Sequence, residues 1–160
     1  MPFAVPTPPA IKREEIPQIA GGNWETGQKL FMGKANCSKC HVKRKEGNRV
    51  GPDLDNLVHR DYASVLRDIV DPSATINPDA IGYHVLLDDG RTVSGTRVAE
   101  TEDELHIVPA SGDVAKLKKS SIEEVSPMKL SPMPAGLEKL LSSDELRDLM
   151  TYLLLRRQAG

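Results

Sequence analysis

The only two cysteines in the 160-residue chain, Cys37 and Cys40, stand three positions apart. A pair that close cannot cross-link distant segments, so no disulfide framework staples the fold and an apolar core has to hold it. That core is short of large side chains: two Phe, one Trp and three Tyr make up only 4% of the chain. Aromatics usually dominate apolar burial, and a bulky apolar cofactor is one way to fill the space they leave. With 39% hydrophobic and 28% charged residues, the composition fits one soluble globular domain, or one domain carrying a small second module. The formal charge of −2 disfavours nucleic-acid binding through a global positive field. The longest unbroken apolar run is Tyr152 to Leu155, far below the roughly 20 residues needed to span a bilayer.

The hydrophobic period divides the chain. Residues 1–22 hold Pro2, Pro6, Pro8, Pro9 and Pro17 and read as a proline-rich lead or linker. The lead lacks the basic start and long apolar stretch of a secretory signal. From Asn23, a plausible N-cap, Trp24, Gln28, Phe31 and Ala35 repeat at helical spacing, with Gly27 on the same stripe. Asp61 caps a second helix, where Tyr62, Val65, Leu66, Ile69 and Val70 form one face and Asp71-Pro72 is the stop. Ser142 and Glu145 have capping-box spacing before Leu146, Leu149, Met150, Leu153 and Leu154, with Arg156 and Arg157 at the negative end of the dipole. Between these helices the period falls to about two. Over 82–125, four or five short strands are separated by the turns Asp88-Asp89-Gly90 and Ser111-Gly112-Asp113. The expected fold is therefore mainly α: a helical domain over 23–160, interrupted by a small antiparallel β module at 82–125.

Cys37-Ser38-Lys39-Cys40-His41 has the spacing that lets two thiols add across the vinyl groups of a haem while the next imidazole reaches the iron. A structural zinc site would need a second ligand pair, and no further cysteine exists. A thioredoxin-like redox pair belongs between a strand and a helix, whereas this motif is expected to end a helix. An inert surface motif is the remaining alternative. The expectation is one covalently attached haem c, which also implies maturation in the periplasm or another exported location, the signal being absent from this chain.

Gly27 and Phe31 before the motif, Gly51-Pro52-Asp53-Leu54 after it, and a last helix bearing Tyr152 resemble the single-haem class I cytochrome c fold. More narrowly, VGPDL, DPSATINPDAIGYHV, LDDGRTVSGTRV, SPMPAGL and DELRDLMTYLLL resemble the planctomycete and verrucomicrobial c-type haem-binding domain family, from about Trp24 to Leu155. The resemblance implies crossed first and last helices, His41 as the proximal iron ligand, and the Pro52 carbonyl as the group that orients it. That family is known mainly as a terminal domain of large secreted proteins, often behind a sugar-dehydrogenase-like propeller.

The distal ligand decides the chemistry, because a thioether suits electron transfer while an open iron binds gases or peroxide. Met128 and Met133 both lie in a Ser-Pro-Met repeat. Pro132 and Pro134 stiffen the backbone around Met133, and Gly136 permits a turn beyond it, so Met133 is the expected ligand. The SPMPAGL resemblance points the same way. Met32 and Met150 read as core residues, His59 as a lesser candidate ligand, and His84 and His106 as ordinary strand histidines. From Gln28 to Arg49, Lys29, Lys34, Lys39, Lys43, Arg44, Lys45 and Arg49 face Glu46 alone, a basic rim suited to an acidic redox partner. The leading expectation is a His/Met-ligated electron carrier that is not itself an enzyme. The alternatives are the electron-accepting domain of a larger secreted dehydrogenase, and a ligand sensor or peroxidase with a labile distal ligand.

Overall fold

The computed structural model describes residues 16–74, 76 and 81–156. The expected extended lead falls largely on residues 1–15, outside that range, as do Arg157 and part of the 75–80 segment. The end of the lead joins the core: a 3₁₀ turn at Pro17–Ile19 seats Ile16 and Ile19, at 3% and 0% exposure.

Asn23 caps helix α1, Trp24–Met32, by accepting a hydrogen bond from the Thr26 N–H at 2.8 Å. The helix buries Trp24, Gly27, Leu30 and Phe31 and stops at Gly33. Met32, expected in the core, is exposed instead. It lies about 100° round the helix from Phe31, in the final turn, and so off the buried stripe. Helix α2, Tyr62–Val70, has Asp61 at its N-cap position without the expected side-chain capping bond, and ends at Asp71. Helix α3, Ser143–Leu154, begins with both halves of the capping box: the Glu145 N–H donates to Ser142 Oγ at 3.1 Å and the Ser142 N–H donates to Glu145 Oε1 at 2.9 Å. Its last six residues, Leu149 to Leu154, are all buried, as expected of a helix enclosed on every side rather than laid on a surface.

Helices α1 and α3 cross at Gly27. A Cβ there would collide with the Asp148 carbonyl oxygen and lie 2.7 Å from Tyr152 Cβ, so only glycine permits the approach. The Asn23 N–H donates to Asp148 Oδ1 at 2.8 Å across the same contact. Tyr152 meets Trp24 edge-on at 4.9 Å between centroids and Phe31 at 5.4 Å. Such pairs contribute roughly 0.5–1.5 kcal/mol each beyond their buried area.

A two-residue hairpin, β1 (Val42–Lys43) and β2 (Glu46–Gly47), follows the cysteines. The larger sheet contains β3 (Gly82–Leu87), β4 (Thr92–Glu100), β5 (Glu104–Val108), β6 (Ala115–Lys118) and β7 (Ile122–Pro127). All its pairings are antiparallel, in the spatial order β6-β5-β4-β3-β7. Gly90 and Gly112, at φ +88° and +87°, supply the left-handed turn positions that L side chains rarely adopt. Val85, Leu87, Leu105 and Ile107 form a second core for this sheet, separate from the helical one.

The expectation of a mainly α fold is therefore corrected. Strands of 6, 9, 5, 4 and 6 residues in the larger sheet hold as many residues as helices of 9, 9 and 12. The physical reason is length. The helices stop early at Gly33, Asp71 and Leu155, while β4 runs for nine residues by absorbing a bulge between Arg97 and Ala99. With a core of its own, the sheet is an equal partner in the architecture.

Candidate functional site

After α1, Asn36 takes a left-handed conformation at φ +58°, tolerated by asparagine, and turns the chain into a 3₁₀ turn at Cys37–Lys39. The segment from Cys37 to Pro52 is then fixed by its own backbone. The His41 N–H donates to the Cys37 carbonyl at 2.9 Å, the Asn48 N–H to the Ser38 carbonyl at 2.9 Å, and the Gly51 N–H to the Cys40 carbonyl at 2.6 Å. Buried Ser38 donates its hydroxyl to the Met32 carbonyl at 3.3 Å, tying the turn back to α1. Cys37 and Cys40 are free thiols, both partly buried. Burial pushes the Cys37 thiol up to about 11 and raises that of Cys40, with Lys39 pulling the latter back.

His41 Nδ1 lies 2.7 Å from the Pro52 carbonyl oxygen. A carbonyl only accepts, so Nδ1 carries the proton and Nε2 keeps its lone pair. Burial lowers the His41 pKa, with the Pro52 bond opposing, which favours the neutral imidazole that a metal requires. Gly51 locks the ring: a Cβ there would lie 2.8 Å from His41 Cε1 and 3.1 Å from Nδ1. Sequence reasoning saw Gly51-Pro52 as a motif but not this ring contact, because nothing in composition shows that a glycine 10 positions on faces an imidazole.

Cys37, Cys40, His41 and Pro52 are thus brought together, whereas Met133 belongs to a separate loop. There the Met133 N–H donates to Ser131 Oγ at 3.2 Å, and the Ser131 N–H donates to Ser73 Oγ at 3.0 Å, which anchors the loop just beyond α2. Gly136, at φ +85°, turns the chain into the 3₁₀ segment Leu137–Leu140. Met128 is tied to the sheet, its N–H donating to the Gly82 carbonyl at 2.8 Å and its sulfur pressed against Gly82. His84 Nδ1 is 2.6 Å from Ser94 Oγ and His106 Nε2 is 3.4 Å from Glu104 Oε1, both on the sheet. Met150 is fully buried in the helical core.

Of the five apolar residues on the face of α2, only Val65 is buried. Tyr62, Leu66 and Ile69 are half-buried, and Leu54, Leu57, Leu141, Leu146 and Cys37 fringe the same core. This leaves an apolar rim beside a thiol pair and a neutral imidazole. The donor set and its apolar surroundings fit haem c, with Cys37 and Cys40 to hold it and His41 Nε2 to ligate it.

The basic rim is smaller than its sequence suggests. Lys43 is buried, Lys34 pairs with Glu145 at 2.7 Å and Arg49 reaches Asp53 at 3.7 Å. Lys29, Lys39 and Lys45 remain exposed without an ion-pair partner among the described residues. The alkyl chain of Lys39 supports the turn at Gly112, where a Cβ would lie 3.1 Å from Lys39 Cβ, so the larger sheet abuts the residue between the two cysteines.

No curated protein matches the chain. Among the described residues no helix is long and apolar enough to cross a membrane. Residues 24–84, which run from the start of α1 through the Cys37–His41 turn, Gly51-Pro52 and α2, match the family model described as Cytochrome c. This stretch is therefore similar to the Cytochrome c family and consistent with a class I c-type cytochrome-like domain, which supports haem-based electron transfer in general.

Proposed function

We propose that this chain is a single-haem electron carrier, not itself an enzyme, matured outside the cytoplasm and ligated by His41 and Met133. The observation that carries the reading is the bond from His41 Nδ1 to the Pro52 carbonyl, immediately after the paired thiols, with Gly51 packed on the ring. It presents Nε2 as a neutral, oriented donor and raises its basicity. The bound haem supplies a one-electron iron couple whose potential a thioether ligand raises. Met133 is the better distal candidate because its loop is stiffened by two prolines and anchored through Ser131 to Ser73, while the Met128 sulfur is already engaged against Gly82. Optical spectra of both oxidation states test the ligation. Low-spin spectra and a reduced protein that excludes carbon monoxide are expected; a high-spin ferric spectrum with rapid carbon monoxide binding would favour a sensor or peroxidase.

The exposed Lys29, Lys39 and Lys45 favour an acidic redox partner. Raising ionic strength from low to about 0.5 M should slow electron transfer to such a partner on the order of tenfold, by screening the steering field. Rates indifferent to salt would remove the acidic partner from the proposal.

A further inference from the structure

A cavity of about 460 Å³ opens between the start of α1, the β1–β2 hairpin, the 3₁₀ turn Asp55–His59 and the chain beyond α3. None of Cys37, Cys40, His41, Pro52 or Met133 lines it. Three cationic side chains do, those of Lys43, Arg44 and Arg156, against the single carboxylate of Asp55. Asp55 Oδ1 accepts the backbone N–H of Arg44 at 2.8 Å within the same wall.

Lys43 is the unusual member. It is 3% exposed, and its ammonium has no hydrogen-bond or carboxylate partner among the described residues; it lies 5.3 Å from the centroid of the Tyr152 ring. The cation–π contact contributes roughly 0.5–2 kcal/mol. His59, which also lines the cavity, has a buried Nδ1 with no partner among the described residues. Arg44 and Lys45, at φ +52° and +65°, are the two central residues of the β1–β2 hairpin turn. That turn sets the Arg44 guanidinium 4.9 Å from the Trp24 ring centroid. The indole N–H of Trp24 is used by the Leu155 carbonyl at 3.0 Å, and Val58 and Leu155 complete the apolar part of the lining.

We propose that this cavity binds a small organic anion, a carboxylate on an apolar body, with Lys43, Arg44 and Arg156 receiving the carboxylate and Trp24, Val58 and Leu155 contacting the body. The volume lies within the range of small-molecule sites, and the lining pairs apolar walls with a few converging polar groups, as such sites do. None of the residues proposed to hold the haem lines the cavity, and the proposal does not depend on the ligation proposed above.

Trp24 is the only tryptophan in the chain and lines the cavity, so its single indole N–H resonance in the ¹⁵N-labelled, reduced holoprotein is an unambiguous reporter at that wall. Titration at constant ionic strength uses benzoate, the neutral isostere benzyl alcohol, and inorganic phosphate. Benzoate should shift the resonance to saturation in the millimolar range or below, while benzyl alcohol and phosphate bind at least tenfold more weakly. Lys43→Met, which keeps the buried stem, should weaken benzoate at least tenfold, and Arg156→Gln, at an exposed position beyond α3, should weaken it severalfold. Benzoate that fails to saturate by about 50 mM, or that binds both variants as it binds the parent, would overturn the site. Equal binding of benzyl alcohol would overturn the anionic specificity, and equal binding of phosphate the role of the apolar walls.

Discussion

Met133→Ala should abolish the far-red sulfur-to-ferric-iron charge-transfer band, open the reduced iron to carbon monoxide and lower the potential by on the order of 0.1–0.3 V, a fraction of the ~0.8 V that axial ligands span. Alanine at 133 leaves the loop intact, since the Met133 N–H to Ser131 bond and the Ser131 tie to Ser73 use backbone donors. Met128→Ala removes a side chain packed on Gly82 at the sheet end, so it should leave all three properties nearly unchanged and cost a modest amount of stability. Voltammetry and visible spectra of the two variants decide the matter; the reverse pattern would transfer the ligand to Met128.

Gly27→Ala should be the most destabilising single methyl addition in the helical core. The new Cβ would strike the Asp148 carbonyl and sit 2.7 Å from Tyr152 Cβ, both on α3, so no flexible side-chain end can yield and the helices must separate. Separation would also loosen the Trp24–Tyr152–Phe31 stack and the Asn23 to Asp148 bond. A loss of about 3 kcal/mol or more is expected, a fall in Tm of roughly 6–12 °C for a chain this size. Gly33→Ala makes the contrast: its Cβ would lie 3.1 Å from the Lys29 carbonyl at a helix end, and the cost should stay near or below about 1 kcal/mol. Thermal unfolding of both ferric variants tests this, and a Gly27→Ala protein as stable as the parent would show that the helices do not need the close approach.

What the sequence made legible was local. Ser142 with Glu145, Asn23 with Thr26, and the glycines of the 90 and 112 turns follow from groups a few residues apart, and each is found where short-range chemistry puts it. The Cys37–His41 run could be read as a unit because its members are contiguous. What could not be read depends on distant partners. Lys43 looked like one more solvated cation in a basic run, yet a two-residue hairpin carries it under Tyr152, more than a hundred residues away. The balance of helix and sheet was misjudged for a related reason. Periodicity locates strands, but only their pairing reveals that β7 returns beside β3 and that five strands close around a core of their own. A backbone carbonyl such as that of Pro52 carries no compositional signature at all; the resemblance to a known family drew attention to it.

The central claim is one haem bound through Cys37 and Cys40, and the intact mass of the chain after expression with c-type maturation machinery tests it most directly. The account predicts the mass of the chain plus a single haem, retained through acid–acetone extraction and lost from a Cys37→Ala, Cys40→Ala double variant. A mass equal to the bare chain, or colour that the acid–acetone removes, would contradict it.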